Sequence, residues 1–261
     1  MSLLFLLALA FATMGSIMFL VWLISRLINN AGIVDLAWAA GFSILLLLYL
    51  LICRNFGARQ IFLAILVSVW SLRLFLHLSL RFLKSYPTED PRYSELRTAF
   101  GAHPDAKMLL VFLWQGFVLV LMSAPIAAVM ADSAAEISVI HCLASLLCLM
   151  SITGEALADF QLSSFASEPA NKGLSCQSGL WQYSRHPNYF FEWMVSVSFS
   201  IFALASPYGI WTLFCPLLLL HLLLNVTGVK PAEEHSLKTR SDYSEYQKRT
   251  SAFIPWFRRV S

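Results

Sequence analysis

The sequence predicts an all-α, polytopic membrane protein with seven transmembrane helices. Three observations carry that prediction. The 261 residues are 58% hydrophobic and 13% charged, with a mean hydropathy of +0.69, whereas a soluble domain carries roughly 25% charged residues. Apolar runs of about 18 residues or more recur along the chain, each long enough to cross a hydrocarbon layer of about 30 Å as a helix that satisfies its own backbone. The third observation is that Lys and Arg are sharply segregated between alternate loops.

The first run, about 3–24, carries an Ala8-Leu9-Ala10 that looks like a signal-peptidase site. No Lys or Arg precedes it and its apolar stretch exceeds a signal core, so it reads as a helix. Further spans fall at about 33–53, 60–80, 108–130, 137–158, 189–205 and 208–226, followed by a polar tail at 227–261. One membrane domain, 1–261, accounts for the chain. With seven crossings one side receives Arg26, Arg81, Lys84, Arg92, Arg97, Lys107, Lys172, Arg185 and the seven Lys and Arg residues from Lys230 onward, and the other only Arg54 and Arg59. Fifteen against two, with Arg73 inside a span, predicts an outside N-terminus and a cytoplasmic C-terminus, because basic residues of short loops stay cytoplasmic.

The five cysteines (Cys53, Cys142, Cys148, Cys176, Cys215) are scattered and pair with no His at metal-ligand spacing, so neither a disulfide framework nor a metal site is expected. The net charge of +3 forms no basic stripe with interleaved aromatics, and nucleic acid is not an expected partner. Asn225-Val-Thr227 matches a glycosylation sequon but falls on the side expected to be cytoplasmic, so it reads as chance.

Three stretches interrupt the apolar pattern, all toward the expected cytoplasmic side. In the third span Arg73, His77 and Arg81 recur every four residues and form one stripe. Arg81 has a bland reading as a snorkelling side chain. Arg73 lies too deep for that and calls for a buried partner, with Asp35 and Glu155 as candidates. At the start of the second span Asp35 and Trp38 share a face; Asp35 reads either as a favourable charge at a helix N-terminus or as a cavity residue.

The third stretch is Asp159, a polar loop, and then Trp181-Gln-Tyr183-Ser-Arg185-His186-Pro187-Asn188-Tyr189-Phe-Phe-Glu192-Trp193. Pro187 suits a first helical turn, and Asn188 and Glu192 then lie one turn apart beside Tyr189. A helix N-terminus flanked by Arg185 and His186 favours an anion such as a nucleotide phosphate. The bland reading, an interfacial aromatic belt of Trp181, Tyr183, Tyr189 and Trp193, leaves Glu192 a turn inside the membrane unexplained. The tail, from Lys230 through Glu233-Glu234-His235 to Pro255-Trp256, reads as a polar helix and an aromatic anchor, which a plain amphipathic tail also matches.

With these residues the chain resembles the steroid 5-alpha-reductase-like membrane enzymes, most closely their bacterial DUF1295 branch. The likeness rests on Val34-Asp35-Leu-Ala-Trp38, Trp70…Arg73…His77…Arg81, Glu89-Asp90-Pro-Arg92-Tyr93…Leu96-Arg97, Trp181…Ser184-Arg185-His186-Pro187-Asn188-Tyr189 and Tyr246…Arg249-Thr-Ser-Ala-Phe253-Ile-Pro255, in that order. The resemblance implies seven helices around a cytoplasm-facing cofactor cavity, NADPH as cofactor, and a bacterial inner membrane location. Carried over residue by residue, it implies that Asp159, Asn188, Tyr189, Glu192, Glu234 and His235 belong to the cofactor site.

Two features depart from the pattern. The steroid enzymes' catalytic Gln-Glu and Tyr are not visible here, where Asp35, Trp38, Arg73 and His77 stand nearest. Phe191 occupies a position that is commonly small in that family and is expected to narrow the cavity or to shift the cofactor.

The function expected is NADPH-dependent reduction of a carbon–carbon double bond, conjugated to a carbonyl, in a lipid or sterol-like substrate. Asp159, Trp181, Arg185, His186, Asn188, Glu192, Glu234 and His235 are the cofactor-binding candidates, and His77, Tyr189 and Asp35 the candidates for polarising the substrate oxygen. The partners are a lipid-like small molecule and the membrane lipids, with no metal. Two alternatives stay open. Membrane methyltransferases of the isoprenylcysteine or phospholipid type, which use S-adenosylmethionine, share the Arg-His-Pro-x-Tyr signature. A non-enzymatic lipid-binding protein needs the cavity without a cofactor.

Overall fold

The computed structural model describes residues 3–258. Met1, Ser2 and the last three residues of the expected tail, Arg259, Val260 and Ser261, lie outside the described residues. Among the described residues the regular elements are helical, with one isolated bridge between Ser184 and Ser251. The chain divides into two compact units, Met1–Ser138 with Ala203–Gly209 and Val139–Phe202 with Ile210–Ser261.

The first unit contains α1 (Leu3–Ile28), α2 (Ile33–Cys53), α3 (Ala58–Ser85), the short α4 (Pro91–Phe100), α5 (Pro104–Met122) and α6 (Ala124–Ala131). In α1 the buried side chains Leu6, Ala10, Met14 and Met18 recur every fourth residue, which is one face of a helix. Leu4, Phe5, Leu20 and Leu27 on other faces are exposed, as lipid-facing residues are. α1 packs on α5 and α2, and α2 on α3. Gly41 of α2 lets α5 approach, since a Cβ there would sit 2.5 Å from Leu119 Cδ1; small residues at helix contacts are the usual device in membranes. Hydrogen bonds join the helices as well: the Ser71 hydroxyl donates to the Ala39 carbonyl (2.7 Å) and Tyr49 Oη lies 2.7 Å from Ser123 Oγ.

The expected span at 108–130 proves to be two helices. Pro125 has no N–H to donate and its ring clashes with the preceding turn, so α5 stops at Met122, Ser123 forms the joint and α6 starts afresh. The apolar composition runs through the joint and hides it. At the turn between α2 and α3, Arg59 is buried with only 2% of its side chain exposed and pairs with Asp132 beyond α6. The Gln60 amide donates to the carbonyls of Val129, Asp132 and Ala134, and Asn55 also donates to that of Asp132.

The second unit contains α7 (Val139–Ser167), α8 (Pro187–Ala203), α9 (Phe214–His221), α10 (Val229–Thr239) and α11 (Tyr243–Arg249), with single 3-10 turns at Pro169–Asn171, Gly179–Gln182 and Gly209–Leu213. α7 has 29 residues, about 44 Å at 1.5 Å per residue, so it outruns a ~30 Å hydrocarbon core by about two and a half turns. The expected span at 137–158 is therefore extended to Ser167. After α9 the helix widens into a π-turn, Leu222–Val226, and Gly228 ends it where a Cβ would lie 2.4 Å from the Leu223 carbonyl oxygen.

Among the described residues, six helical stretches are long and apolar enough to cross a membrane: Leu3–Ile28, Ile33–Cys53, Ala58–Ser85, Pro104–Met122, Val139–Ser167 and Gly209–Thr239, the last of which ends in the polar α10 of the tail. The remaining expected span corresponds to α8, whose 17 residues stand at the lower end of the length that crosses a bilayer. The protein is an all-helical integral membrane protein.

Candidate functional site

The second unit gathers the predicted cofactor residues around the start of α8. Asp159 lies inside α7 and is buried. One helical turn of α7 holds the loop that leads into α8. The Trp181 indole N–H donates to the Ala158 carbonyl at 2.9 Å, and the Leu180 amide donates to Gln161 Oε1 at 2.9 Å. Gly179 makes this close approach possible: its φ of +60° is left-handed, and a Cβ would lie 2.3 Å from Gln161 Nε2. With the loop so fixed, Asn188 in the first turn of α8 donates its Nδ2 to Asp159 Oδ1 at 3.2 Å. The other end of that amide, Asn188 Oδ1, is a buried acceptor with no hydrogen-bond partner among the described residues. Buried acceptors are seldom left unmatched, so this atom marks a place for a donor.

The Arg185 guanidinium serves a different purpose from the open anion site expected of it. Its side chain is 9% exposed and its Nη2 lies 2.7 Å from Glu233 Oε1. Its Nε donates to the same carboxylate at 2.7 Å, and its Nη1 donates to the Gln247 carbonyl at 3.0 Å and to that of Thr250. The Gln247 side chain closes the ring by donating to Glu233 Oε2 at 2.9 Å. Backbone pairing continues the clasp, with Arg185 N–H to Ser251 O and Trp256 N–H to Tyr183 O, both 2.9 Å. The Tyr246 hydroxyl donates to the Trp181 carbonyl. Arg185 thereby ties the chain before α8 to α10 and α11.

Beside the clasp, His186 Nε2 lies 3.4 Å from Glu233 Oε1, and the imidazole stacks flat on the Tyr189 ring with centroids 5.4 Å apart and 2° between planes. Glu192 is half-buried one turn further along α8. Phe191, expected to narrow the cavity, packs its ring against Gly154 of α7, where a Cβ would lie 2.6 Å away. A large residue on α8 is matched by a missing side chain on α7. Glu234 and His235 are exposed on α10 while Glu233, one position earlier, faces Arg185 and His186. Sequence reasoning passed over Glu233; the signal that points to it is an acidic residue within reach of an Arg-His pair at a helix start.

The clasp is expected to respond to pH. Burial pushes the His186 imidazole down from its ordinary 6.5, outweighing the attraction of Glu233, with Arg185 and Arg240 adding repulsion. Burial alone would raise the Glu233 carboxyl, but His186 and Arg185 hold it down to about 2 from an ordinary 4.5. Tyr243, pushed up to about 12 by burial and then by Glu233, stays protonated. Both shifted groups bind protons more readily when unfolded, so their stabilisation is present above the unfolded values and is lost as pH falls. The His186 part declines from about 6.5 downward and the Glu233 part between 4.5 and about 2. Tail protease resistance in detergent is expected to be full at pH 7.5 and reduced by pH 5; equal resistance at both would contradict this.

In the first unit, two other sequence motifs meet. Asp35 in the first turn of α2 accepts from Arg92 Nη2 at 2.8 Å and from the Tyr93 hydroxyl at 2.5 Å, and Arg81 Nη2 lies 3.6 Å away. Asp90 caps α4, bonds Arg92 and lies 3.5 Å from Arg81. Glu89 accepts from the Ala31 amide at 2.7 Å and pairs with Arg97 at 3.0 Å. The network fastens α4 to the turn between α1 and α2, and Asp35 acts in it as an acceptor. Burial raises the Tyr93 phenol well above its ordinary value and the neighbouring Asp35 raises it further. Arg73 and His77 are half-buried on α3. Trp38 joins an edge-to-face series with Phe42 and Trp70, centroids 5.0 and 4.8 Å apart.

A family model described as "Protein of unknown function (DUF1295)" matches residues 21–250, which takes in the α4 network and the clasp as far as Thr250. The chain belongs to the DUF1295 family. DUF1295 proteins are membrane proteins related to the steroid 5-alpha-reductases. No curated protein and no solved structure matches the chain.

Proposed function

We propose that this DUF1295 protein is an NADPH-dependent reductase of a carbon–carbon double bond, conjugated to a carbonyl, in a lipid or sterol-like substrate. The observation that carries the reading is Asn188: Asp159 fixes its amide nitrogen and leaves its oxygen buried and unmatched. That acceptor fits a carboxamide N–H or a ribose hydroxyl, both of which NADPH presents. The residues present fit the cofactor in other respects too, with Trp181 offering a rigid ring edge and the N-terminus of α8 favouring negative charge.

In this proposal Asp159, Trp181, Asn188 and Glu192 hold the cofactor. Arg185 and Glu233 set the position of the α8 start, and His186 holds the Tyr189 ring. Glu234 and His235 stay candidates for the exposed end of the site. Bound NADPH supplies the hydride. The hydride would go to the carbon β to the carbonyl, and Tyr189 is the proposed proton donor to the carbonyl oxygen, where a hydrogen bond strengthens as charge develops. The enol so formed would take a proton from water at the α carbon as its O–H proton returns to Tyr189, which leaves the saturated carbonyl compound. His77 is the alternative donor. Asp35, filled by donors from Arg92 and Tyr93, is better suited to positioning. The proposed orientation is the one that the Lys and Arg segregation favours, with the N-terminus outside and the C-terminus in the cytoplasm of a bacterial inner membrane, so that the clasp would face the compartment that holds NADPH.

The test is calorimetric titration of NADPH into purified protein and its variants. Asn188→Ala and Asp159→Ala are expected to weaken NADPH about 10-fold or more, within the ~1–3 kcal/mol that an orphaned buried partner costs. Tyr189→Phe is expected to keep binding and lose turnover of enone lipids. Unchanged NADPH affinity in folded Asn188→Ala would overturn the assignment.

A further inference from the structure

The first unit carries a feature that neither the cofactor site nor the α4 network uses. An open trench of about 740 Å³ runs along one face of α5, lined by Phe100, Lys107, Leu110, Val111, Trp114 and Phe117. Its volume lies within the range of small-molecule sites, about 300–1,000 Å³. Its walls are apolar and exposed: Leu110, Trp114 and Phe117 present 66%, 58% and 42% of their surface. The far end is organised, since Trp114 stacks on Phe117 (5.5 Å, 20°) and Phe117 on Phe11 of α1 (5.2 Å, 27°).

The near end is polar. Lys107 Nζ donates to the Phe100 carbonyl at 2.6 Å, at the last turn of α4, and sits 5.9 Å from the Phe100 ring centroid. Lys107 forms no ion pair among the described residues, while the neighbouring Arg26 and Arg97 both reach Asp105. An ammonium with spare donors therefore stands at the mouth.

We propose that this trench binds one anionic phospholipid, its phosphate at Lys107 and one acyl chain laid along α5 to Phe117. Length supports the match. Ten residues separate Lys107 from Phe117, about 15 Å of helix, which is half of a ~30 Å hydrocarbon core and hence one leaflet. Charge supports it too: basic side chains at the membrane edge attract anionic headgroups. The polar α4 on one side of the mouth and the apolar α5 below it set the interfacial level.

The test compares thermal unfolding in nanodiscs of phosphatidylcholine alone and with 30% phosphatidylglycerol, for the wild type, Lys107→Gln and Trp114→Ala. The expected result is a Tm several degrees higher with phosphatidylglycerol in the wild type, a difference abolished in Lys107→Gln and reduced in Trp114→Ala. If Lys107→Gln merely weakens the end of α4, Tm falls equally in both lipids and the difference persists, which overturns the proposal. Native mass spectrometry supplies the second readout: wild type is expected to retain one phosphatidylglycerol through detergent exchange and Lys107→Gln none. Equal Tm in both lipids for the wild type overturns it, as does a stable dimer that Trp114→Ala dissociates, since the trench would then hold a second copy.

Discussion

Arg185→Ala is expected to release the C-terminal tail. The guanidinium bridges Glu233 and the carbonyls of Gln247 and Thr250, and its loss leaves a largely buried carboxylate without its main counter-charge. Breaking a buried pair from one side costs roughly 3–5 kcal/mol. Trypsin is therefore expected to cut after Lys238 and Arg240 far faster in the variant than in the wild type. Arg185→Lys is expected to rescue little, because one ammonium cannot reproduce a fork shared between a carboxylate and two carbonyls. The same variant separates two roles for the residue. An intact, protease-resistant tail combined with lost NADPH binding would make Arg185 a cofactor ligand and remove it from the clasp.

Asp132→Asn is expected to be equally severe at the other polar centre, in the first unit. Arg59 lies at the start of α3, where the helix dipole disfavours a cation, and it is 2% exposed beside an Asp132 that is 11% exposed. Burial would raise the Asp132 carboxyl, yet Arg59, the Ala134 amide and Ser206 together hold it below the usual range. Removing its charge strands Arg59 and is expected to cost about 3–5 kcal/mol, read as a lower midpoint in detergent denaturation. Arg59→Met with Asp132→Ala is expected to recover most of the loss, since no orphaned charge is left. A single Asp132→Asn with wild-type stability would show that water reaches Arg59.

Much of the helical plan was legible because it follows from composition. Long uncharged runs have few alternatives in lipid, and α1, α2 and α3 begin within a few residues of where hydropathy places them. The joint at Ser123 was less legible: Pro125 is visible in the sequence, but membrane helices often absorb a proline, so its presence alone does not say whether a helix bends or stops. Polar pairings were the least legible part. Arg59 and Asp132 are separated by 73 positions, and in sequence each reads as a loop charge.

The site shows the same limit at finer grain. Family resemblance assigns Asp159 and Asn188 to one cofactor site without saying that they touch, and the structure brings them within 3.2 Å. The acidic residue that meets Arg185 was missed because Glu233, Glu234 and His235 are successive, and each step along a helix turns the side chain by about 100°. Which of the three faces inward depends on how α10 docks, and local sequence does not carry that. Phe191 shows the same limit: its bulk is plain in the sequence, whereas the bare Gly154 that its ring packs against, 37 positions away, is matched to it only by the packing of α7 on α8.

The most direct test of the central claim is the thermal stability of the wild-type protein in mild detergent with saturating NADPH, NADH or S-adenosylmethionine. A ligand that binds the native state raises Tm, by ~2.7 kcal/mol of stability at 100 times its Kd. The account predicts a saturable rise with NADPH and none with S-adenosylmethionine. A rise with S-adenosylmethionine alone would contradict it and make the Asn188 site that of a methyltransferase.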